Sequence, residues 1–391
     1  MATAKLVVKP GFRNGQVTTE RGDERVVEWS TRRILVTGGA SFIGSHLVDR
    51  LVERGASSIR VVDDLSSGEV DTIRDHLASG AVELVTQDLL VPGAAERVVE
   101  GIDVVFHLAA IHGGRGYVDL HPAECAKNLT IDGMLINAAQ RAGVDKFVFA
   151  SSGCVYPSYL QRDVTQEVYL SEDMAGPPCD ADGMYGWAKL MAEMTLRAFH
   201  RTYGMKSASC RFFTVYGERG VENHAVMAMI ARSFVREDPF EVWGDGSQVR
   251  NWTYVGDIVE GILLSAERID DGTAINLGTS ERITVLEAVH EVLRYTGHQA
   301  TIRFRPDMPT GPLNRIASNE LARRLLGWEP KVRFLDGLHR TIDWYYTTKD
   351  RAHVRSYLAR MLTERGGRGT EPAQLELSGR LNARSKVPAV S

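Results

Sequence analysis

Residues 31–46 read TRRILVTGGASFIGSH and predict a strand, a tight turn and the start of a helix. The apolar run at residues 34–36 stops at Gly38 and Gly39, and apolar residues then recur at helical spacing from Phe42 onward. Because a helix N-terminus presents free amides and a partial positive charge, this turn is a setting in which a pyrophosphate binds.

The spacing of the turn and of the next strand indicates a dinucleotide. Gly38, Ser41 and Gly44 occupy the three positions of a G-x-x-G-x-x-G turn, with serine in the middle. The next apolar run ends in Asp63 and Asp64, about 20 residues beyond the turn. A carboxylate there accepts hydrogen bonds from both ribose hydroxyls of an adenosine and repels a 2′-phosphate, so NAD is favoured over NADP. In the alternative interpretation the two aspartates only start a loop.

Strand and helix patterns alternate from residue 31 onward, which predicts an α/β fold: a Rossmann-like, doubly wound parallel sheet with a smaller C-terminal α/β substrate lobe. In such sheets the ligand lies beyond the carboxyl ends of the strands. The predicted cofactor residues at these strand ends and at the first helix are Gly38, Ser41, Phe42, Ile43, Gly44, Asp63, Asp64, Asp88, Leu89, Leu108, Ala109 and Ala110.

The periodicity also predicts how the chain is divided. The predicted parts are an N-terminal extension at 1–30, an NAD-binding Rossmann domain at 31–215, a mainly substrate-binding lobe at 216–350 that is interleaved with the main sheet, and a disordered tail at 363–391. Helices are predicted near 69–77, 121–142, 183–203, 225–236 and 255–267.

Composition excludes several classes of function. The chain has 391 residues, and its net charge of −4 with interspersed signs argues against a nucleic-acid or membrane-surface partner. No apolar window is long enough to span a membrane, and no secretory signal is evident. The four cysteines lack metal-like spacing, so we expect a reduced, cytoplasmic protein without a metal.

Three residues form a candidate acid–base group. Tyr185 and Lys189 lie four apart on one face of a predicted helix, which places the ammonium beside the phenol ring. A tyrosine whose pKa is lowered by this cation and by a nicotinamide ring can act as a general base toward a sugar hydroxyl. Ser152, at the end of its strand, is placed to hydrogen-bond the same hydroxyl. Tyr185 and Lys189 are also predicted to contact the cofactor.

The sequence resembles the extended short-chain dehydrogenases/reductases of the nucleotide-sugar epimerase and dehydratase group. The resemblance covers roughly residues 32–346 by eye. It rests on the motifs TGGASFIGSHL, VVDDLSSG, VFHLAA, ASSGCVYP, YGWAK, RFFTVYG and WGDGSQVRNWTYVGDIVEGI. Within the group the chain is similar to the GDP-mannose 3,5-epimerases, which share an A-x-x-G-G-x-G-F loop, here residues 110–117, and a cysteine two residues after the serine.

The resemblance implies roles for further residues. Ser152, Tyr185 and Lys189 would oxidise the sugar at C4, and Cys154 would be an acid/base at a neighbouring carbon, provided that nearby positive charge, from nicotinamide or Arg115, makes it a thiolate. Cys154 is otherwise a small buried residue behind its strand. The substrate residues implied by matched positions are Gly113, Gly114, Arg115, Thr214, Arg250 and Arg315, the last two as diphosphate ligands.

Two departures limit what the resemblance implies. Asn223 stands where the 3,5-epimerases have the lysine that partners the cysteine, and asparagine cannot transfer a proton. His224 can do so, since imidazole titrates near neutrality, although a histidine at a helix start is more often exposed or a cap. Thr214 replaces an asparagine that commonly contacts the sugar diphosphate.

The 4,6-dehydratases carry an Asp-Glu pair where this chain has Gly153 and Cys154, which disfavours dehydration.

These observations predict an NAD-dependent epimerase of a nucleotide-diphosphate sugar that acts through transient C4 oxidation. It would invert C3, C5 or both in a GDP-mannose-like substrate, using Cys154. The alternatives are a C4-only epimerase of a UDP-, ADP- or dTDP-linked sugar, and a non-catalytic NAD-binding sensor. The resemblance also implies a homodimer formed through the helices at 121–142 and 183–203.

Overall fold

The computed structural model describes residues 27–362 and residue 364. Most of the predicted N-terminal extension and of the predicted C-terminal tail therefore lies outside the described residues. Trp29, inside the predicted extension, is buried and packs on Phe106 with 6.0 Å between the ring centroids. The packed core thus begins before residue 31.

The described residues form four sheets. Their strands are β1 (Ile34–Thr37), β2 (Ile59–Asp63), β3 (Val82–Thr86), β4 (Val104–His107), β5 (Lys146–Ser152), β6 (Ser207–Phe212), β7 (Val215–Tyr216), β8 (Phe240–Trp243), β9 (Val249–Arg250), β10 (Thr253–Tyr254), β11 (Asp271–Leu277), β12 (Ile283–Thr284), β13 (Ile302–Arg305) and β14 (Asn314–Arg315).

The helices of the described residues alternate with these strands. They are α1 (Phe42–Glu53), α2 (Arg74–Ser79), α3 (Ala94–Val99), α4 (Arg115–Leu120), α5 (Pro122–Ala126), α6 (Asn128–Ala142), α7 (Gly183–Tyr203), α8 (Ala225–Phe234), α9 (Val255–Arg268), α10 (Val285–Thr296), α11 (Glu320–Leu326), α12 (Phe334–Thr348) and α13 (Arg351–Met361). Within the described chain, none of them is long and apolar enough to cross a membrane.

The main sheet confirms the predicted fold class. Its seven strands are all parallel and run in the order β11-β6-β5-β4-β1-β2-β3. The strand order reverses between β1 and β4, so the chain winds outward in both directions from the middle of the sheet. This reversal opens a crevice beyond the carboxyl ends of β1 and β4, where ligands bind in open α/β sheets.

Apolar residues cover both faces of the main sheet. One cluster joins the sheet to α1, α9 and α11, and another joins it to α3, α6 and α7. A third cluster lies outside the main sheet and packs α8, α10, α12 and α13 around the short strand β8. Helix α13 lies beyond the predicted lobe, which ended at residue 350, and extends this third core.

Two predicted helices differ from the structure in detail. The single helix predicted at 121–142 is divided into α5 and α6 at Lys127, where the side chain of Asn128 binds the backbone of Ile111 through both its oxygen (2.7 Å) and its nitrogen (2.8 Å). The helix predicted near 69–77 begins as a 3-10 turn, Val70–Ile73, and continues as α2. Local contacts with neighbouring loops, which helical periodicity does not encode, explain the first difference.

Candidate active site

A cavity of about 700 Å³ opens beyond the carboxyl ends of β1, β4 and β5 and is lined by both the main sheet and the C-terminal lobe. Every residue predicted to be catalytic or substrate-binding lines it, as do Leu108, Ala110 and the predicted residues of the Gly-rich turn and of the start of α1. The predicted cofactor residues that do not line it are Asp63, Asp64, Asp88, Leu89 and Ala109.

The Gly-rich turn has no room for side chains at two of its glycines. Gly38 has a φ of +71°, and a Cβ there would lie 2.9 Å from the backbone nitrogen of Ala109. A Cβ on Gly44 would overlap the carbonyl oxygen of Gly38. The turn therefore packs directly on the segment after β4, and the N-terminus of α1 opens into the cavity at Phe42. A bare turn at a helix N-terminus fits a pyrophosphate.

Asp63 stabilises this turn from a position outside the cavity lining. Its carboxylate accepts hydrogen bonds from the backbone nitrogens of Ala40 (3.1 Å) and Leu65 (2.9 Å) and from the hydroxyl of Ser41 (3.2 Å). Burial raises the pKa of the Asp63 carboxyl. The cavity wall at this point is formed instead by Leu65 and Gly68. Contact of Asp63 with a ribose stays a prediction.

The other acidic residues predicted at the cofactor site close loops. Asp64 accepts the backbone N–H of Ser66 at 2.9 Å, as the alternative interpretation predicts for this position, and Asp88 accepts that of Leu90 at 2.8 Å. Leu89 is buried in the core. Their predicted contacts with the cofactor remain predictions.

Ser152, Tyr185 and Lys189 come together at the end of β5. The Lys189 ammonium lies 5.8 Å from the centroid of the Tyr185 ring and 4.5 Å from that of Phe149. Burial raises the pKa of the Tyr185 phenol, although its hydrogen bond with Ser152 acts in the opposite direction. Burial also lowers the pKa of Lys189. The protein groups alone thus shift the Tyr185 pKa opposite to the predicted direction, because burial, with Cys154 and Asp132 nearby, outweighs the hydrogen bond from Ser152.

Cys154 contacts the guanidinium of Arg315 rather than that of Arg115. The short 3-10 helix Gly153–Val155 carries it beyond β5, and Nη1 of Arg315 lies 3.2 Å from its Sγ. Arg315 also donates to the Asp182 carboxylate at 2.8 Å and to the side-chain oxygen of Gln161 at 2.6 Å. Arg115, one of the two predicted sources of positive charge, donates instead to Asp182 at 2.8 Å and to Asp119 at 2.7 Å. The guanidinium beside the sulfur therefore comes from β14.

Asp182 links the arginines on this side of the cavity. Burial alone would raise the pKa of its carboxyl, but Arg315 and Arg115 outweigh burial and hold that pKa below its usual value. Arg250 donates to the backbone carbonyls of Val249 (2.9 Å) and Thr310 (2.8 Å). Burial, with Arg315 and Arg115 nearby, lowers the pKa of Arg250 to about 9. Three arginines, Arg115, Arg250 and Arg315, thus meet two carboxylates, Asp182 and Asp119, which leaves this part of the cavity positive.

His224 faces the cavity at the start of α8 and makes no side-chain cap to that helix. Its ring lies 5.8 Å from the ring of His112, which in turn lies 6.3 Å from that of Tyr185, between centroids. Burial lowers the pKa of His224 to about 4, so its imidazole is neutral at neutral pH. Thr214 and Asn223 also line the cavity.

Sequence reasoning missed several residues of this wall. Asp182 precedes α7 and carried no motif, although an aspartate just before a helix is a common N-cap signal. His112 lies inside the loop at 110–117 and was not singled out. Arg232 and Glu241 also line the cavity and carried no signal in their spacing.

Comparison with known protein families identifies the family to which the chain belongs. The family described as "NAD dependent epimerase/dehydratase family" matches residues 34–278. The chain is a member of this family. The resemblance predicted from the motifs is thereby confirmed, and the chain is an NAD-dependent enzyme of the extended short-chain dehydrogenase/reductase type.

Individual relatives of this epimerase/dehydratase family member have different stated activities. GDP-mannose 3,5-epimerase of Arabidopsis thaliana is 32% identical over 328 residues, which cover 82% of this chain and 84% of the relative. The solved UDP-glucose 4-epimerase of Thermotoga maritima, with UDP-glucose, is 32% identical with a TM-score of 0.71, covering 81% of this chain and 99% of that one. The UDP-glucuronic acid 4-epimerase of Bacillus cereus, solved with UDP-glucuronic acid and NAD, is 28% identical with a TM-score of 0.73, covering 81% and 100%.

Proposed function

We propose that the chain is an NAD-dependent epimerase of a nucleotide-diphosphate sugar that oxidises C4 transiently and inverts C3, C5 or both in a GDP-mannose-like substrate. The observation that carries the proposal is the contact between Cys154 and Arg315 just beyond the carboxyl end of β5, the strand that ends in Ser152. It places a thiol with a cationic neighbour in the cavity that holds Tyr185 and Lys189. A relative with a 3,5-epimerase name supports the same assignment.

The cofactor fits the Rossmann half of the cavity. Gly38 and Gly44 lack the space for a Cβ and so leave the turn open to a pyrophosphate, while Tyr185 and Lys189 line the same cavity and are the proposed contacts of the nicotinamide end. When bound, NAD accepts a hydride from the sugar and returns it, so no added reductant is required.

Tyr185 is the proposed base for the oxidation. Its phenolate takes the proton of the C4 hydroxyl, and Ser152 orients that hydroxyl by a hydrogen bond. Because burial raises the pKa of Tyr185, the Lys189 ammonium and the bound cofactor must supply the positive charge that stabilises the phenolate.

Cys154 is the proposed base for the neighbouring carbon. A C4 ketone makes the C3 and C5 protons acidic, because the electron pair left behind delocalises into the carbonyl. The thiolate takes such a proton and becomes a thiol, with the Arg315 guanidinium beside the sulfur. Inversion then requires a proton from the opposite face of the ring.

His224 is the proposed partner acid/base in place of the lysine that Asn223 replaces. Its ring lines the cavity beside His112. A pKa of about 4 makes the His224 imidazole neutral at rest, so it gives its N–H proton to the carbanion while its other ring nitrogen takes up a proton from water. Arg250 and Arg315, the predicted diphosphate ligands, are proposed to attract the diphosphate together with Arg115, because the excess of guanidinium groups leaves their surroundings positive.

A C4-only epimerase is the second candidate. Two observations favour it: Asn223 cannot transfer a proton, and solved relatives of similar identity are named 4-epimerases of UDP-linked sugars. In that reaction C4 is oxidised and reduced on opposite faces, and Cys154 has no chemical role.

We also infer a homodimer through α6 and α7. Met184, Trp187, Met191 and Met194 recur at helical spacing along α7 and are all exposed, as is Leu129 on α6. A second copy of the chain would remove this apolar stripe from water. Analytical sedimentation of the parent and of the double variant Trp187→Glu/Met191→Glu tests this inference. A dimeric parent and a monomeric variant support it, and a monomeric parent overturns it.

A substrate panel tests the proposed function. The purified enzyme with bound NAD is incubated with GDP-mannose and with UDP-, ADP- and dTDP-sugars, without added NADH, and the products are separated by chromatography. The proposal predicts an epimer of GDP-mannose or of a closely related sugar. Bound NAD with no turnover of any sugar would instead favour the sensor.

A further inference from the structure

A buried chain of hydrogen bonds runs from the end of β1 to α6. The hydroxyl oxygen of Thr37 accepts the backbone N–H groups of Leu108 (3.2 Å) and Ala109 (3.1 Å), and it lies 2.7 Å from Nδ1 of His107. Nε2 of His107 lies 3.1 Å from Oδ1 of Asp132. The side chains of Thr37, His107 and Asp132, which form these hydrogen bonds, are all buried.

The bonds at Thr37 decide the protonation of His107. Two accepted bonds use both lone pairs of the hydroxyl oxygen, so its proton points to Nδ1 of His107. Nδ1 therefore accepts, and Nε2–H donates to Asp132. Burial lowers the pKa of His107, which agrees with a neutral ring. The hydrogen bond from His107 thus holds the Asp132 carboxylate in a fixed orientation.

The second carboxylate oxygen of Asp132 and the side-chain nitrogen of Lys189 are both buried. Among the described residues, neither Oδ2 of Asp132 nor Nζ of Lys189 has a hydrogen-bond partner. Both Lys189 and His107 pack against Phe149. Nζ of Lys189 lies 4.5 Å from the centroid of the Phe149 ring, and the centroid of the His107 ring lies 5.9 Å from it. Asp132 also counters the effect of burial on Lys189.

We propose that Asp132, oriented by His107, is the positioning residue that balances the charge of the buried Lys189 ammonium and keeps it at the Tyr185 ring. The proposal rests on the proposed function for the role of Tyr185, but the interaction between Asp132 and Lys189 is testable without turnover. A carboxylate and an ammonium that share one buried pocket stabilise each other, because water does not screen them there.

The charged and titratable groups around the pair come from several elements. His107 on β4, Cys125 on α5 and Cys154 after β5 face Tyr185 and Lys189 together with Asp132. The Asp132 carboxylate favours the protonated form of both Lys189 and Tyr185. Removing its charge therefore makes both groups lose their protons at lower pH.

Asp132→Asn tests the proposal, because the amide oxygen still accepts the proton of His107 Nε2 while the negative charge is gone. Lysine labelled with ¹³C at Cε reports the titration of Lys189 in the enzyme saturated with NAD, and Lys189→Met assigns the resonance. We expect the Lys189 titration in Asp132→Asn to move to lower pH by about one unit. The pH profile of kcat/KM is expected to move in the same direction, with thermal melting used to verify folding.

Asp257→Asn is the matched control. It makes the same exchange at a buried carboxylate on α9 that accepts the backbone N–H of Val332 and lies outside the cavity wall, so Lys189 should titrate unchanged. If Asp132→Asn fails to fold, Asp132→Ser removes the same charge with a smaller side chain and must shift Lys189 in the same direction. An unmoved Lys189 titration, or an equal shift in the control, overturns the proposal. A shifted titration in an enzyme that turns over no sugar supports it while rejecting the proposed function.

Discussion

The two walls of the cavity are built in different ways. The sheet wall, formed by Gly38, Gly44, Ser152, Tyr185 and Lys189, comes from strand ends and from helices that start beside them. The lobe wall, formed by His224, Arg250 and Arg315, comes from short segments between larger elements. Backbone geometry shapes the sheet wall, whereas long side chains from separate parts of the sequence shape the lobe wall. Changes in the first wall should therefore remove cofactor binding or oxidation outright, and changes in the second should alter which carbon reacts.

Tyr185→Phe should have the largest effect on activity. Removing the phenolic oxygen deletes the proposed base for C4 oxidation, so we expect turnover to fall by about 10²–10⁴-fold. NAD should remain bound, because the Gly-rich turn is unchanged. Steady-state rates and the NAD content of the purified protein measure both effects, and Tyr159→Phe, at an exposed tyrosine, is the control. Full activity in Tyr185→Phe would contradict the mechanism.

Gly44→Ala should abolish NAD binding. The added methyl group would overlap the carbonyl oxygen of Gly38 and displace the turn. Gly133→Ala, on α6, is the matched control, because nothing lies within 4 Å of a Cβ there. The control should stabilise the fold by roughly 0.5–1 kcal/mol, since alanine is the better helix former. Calorimetric NAD titration and thermal melting compare the two variants, and NAD affinity retained in Gly44→Ala would contradict this view of the sheet wall.

Arg315→Gln should slow the step at Cys154 more than the oxidation at C4. The substitution removes the guanidinium that contacts Sγ, so we expect exchange of the C3 or C5 proton to slow by about 10²-fold. Arg315→Lys keeps the charge without the forked geometry and should retain part of the rate. Arg141→Gln removes an exposed arginine on α6 and should leave exchange unchanged. Equal rates in Arg315→Gln and the parent would remove Arg315 from the mechanism.

His224 should contribute to the pH dependence of stability rather than to the choice of reacting carbon alone. Its folded pKa of about 4 lies below the usual value of 6.5, so between these pH values the unfolded chain binds a proton that the folded chain does not. The group therefore destabilises the fold as pH falls below 6.5, by at most about 1.4 kcal/mol per pH unit. Urea titrations of the parent and of His224→Gln should show a shallower loss of stability in the variant from pH 6.5 to 4. Parallel curves would place His224 in water rather than in the cavity.

The same contrast explains what the sequence could predict. Gly38, Tyr185 and Lys189 stand at fixed offsets from strand and helix starts, so periodicity and spacing were enough to bring them together. The contact of Arg315 with Cys154 joins residues 161 positions apart, and nothing local in the chain encodes it. The direction of the Tyr185 pKa also depended on burial, which the spacing of a tyrosine and a lysine does not reveal.

Loop detail was the other limit. At the division between α5 and α6, the backbone N–H of Ile111 donates a hydrogen bond to the side-chain oxygen of Asn128. Helical periodicity in the sequence does not reveal this contact. The parallel sheet, in contrast, followed directly from the alternation of strand and helix patterns, because each element had a clear period. Global architecture was therefore predictable, while the side chains that reach across the cavity required the structure.

Deuterium incorporation tests the central claim most directly. The enzyme is incubated with GDP-mannose in deuterium oxide, and each ring proton is followed by NMR, with Cys154→Ala and Cys179→Ala compared. The account predicts deuterium at C3 or C5 in the parent and in Cys179→Ala, and none in Cys154→Ala. Inversion at C4 without any deuterium uptake would contradict it, because the neighbouring carbons would then never lose their protons and Cys154 would have no chemical role.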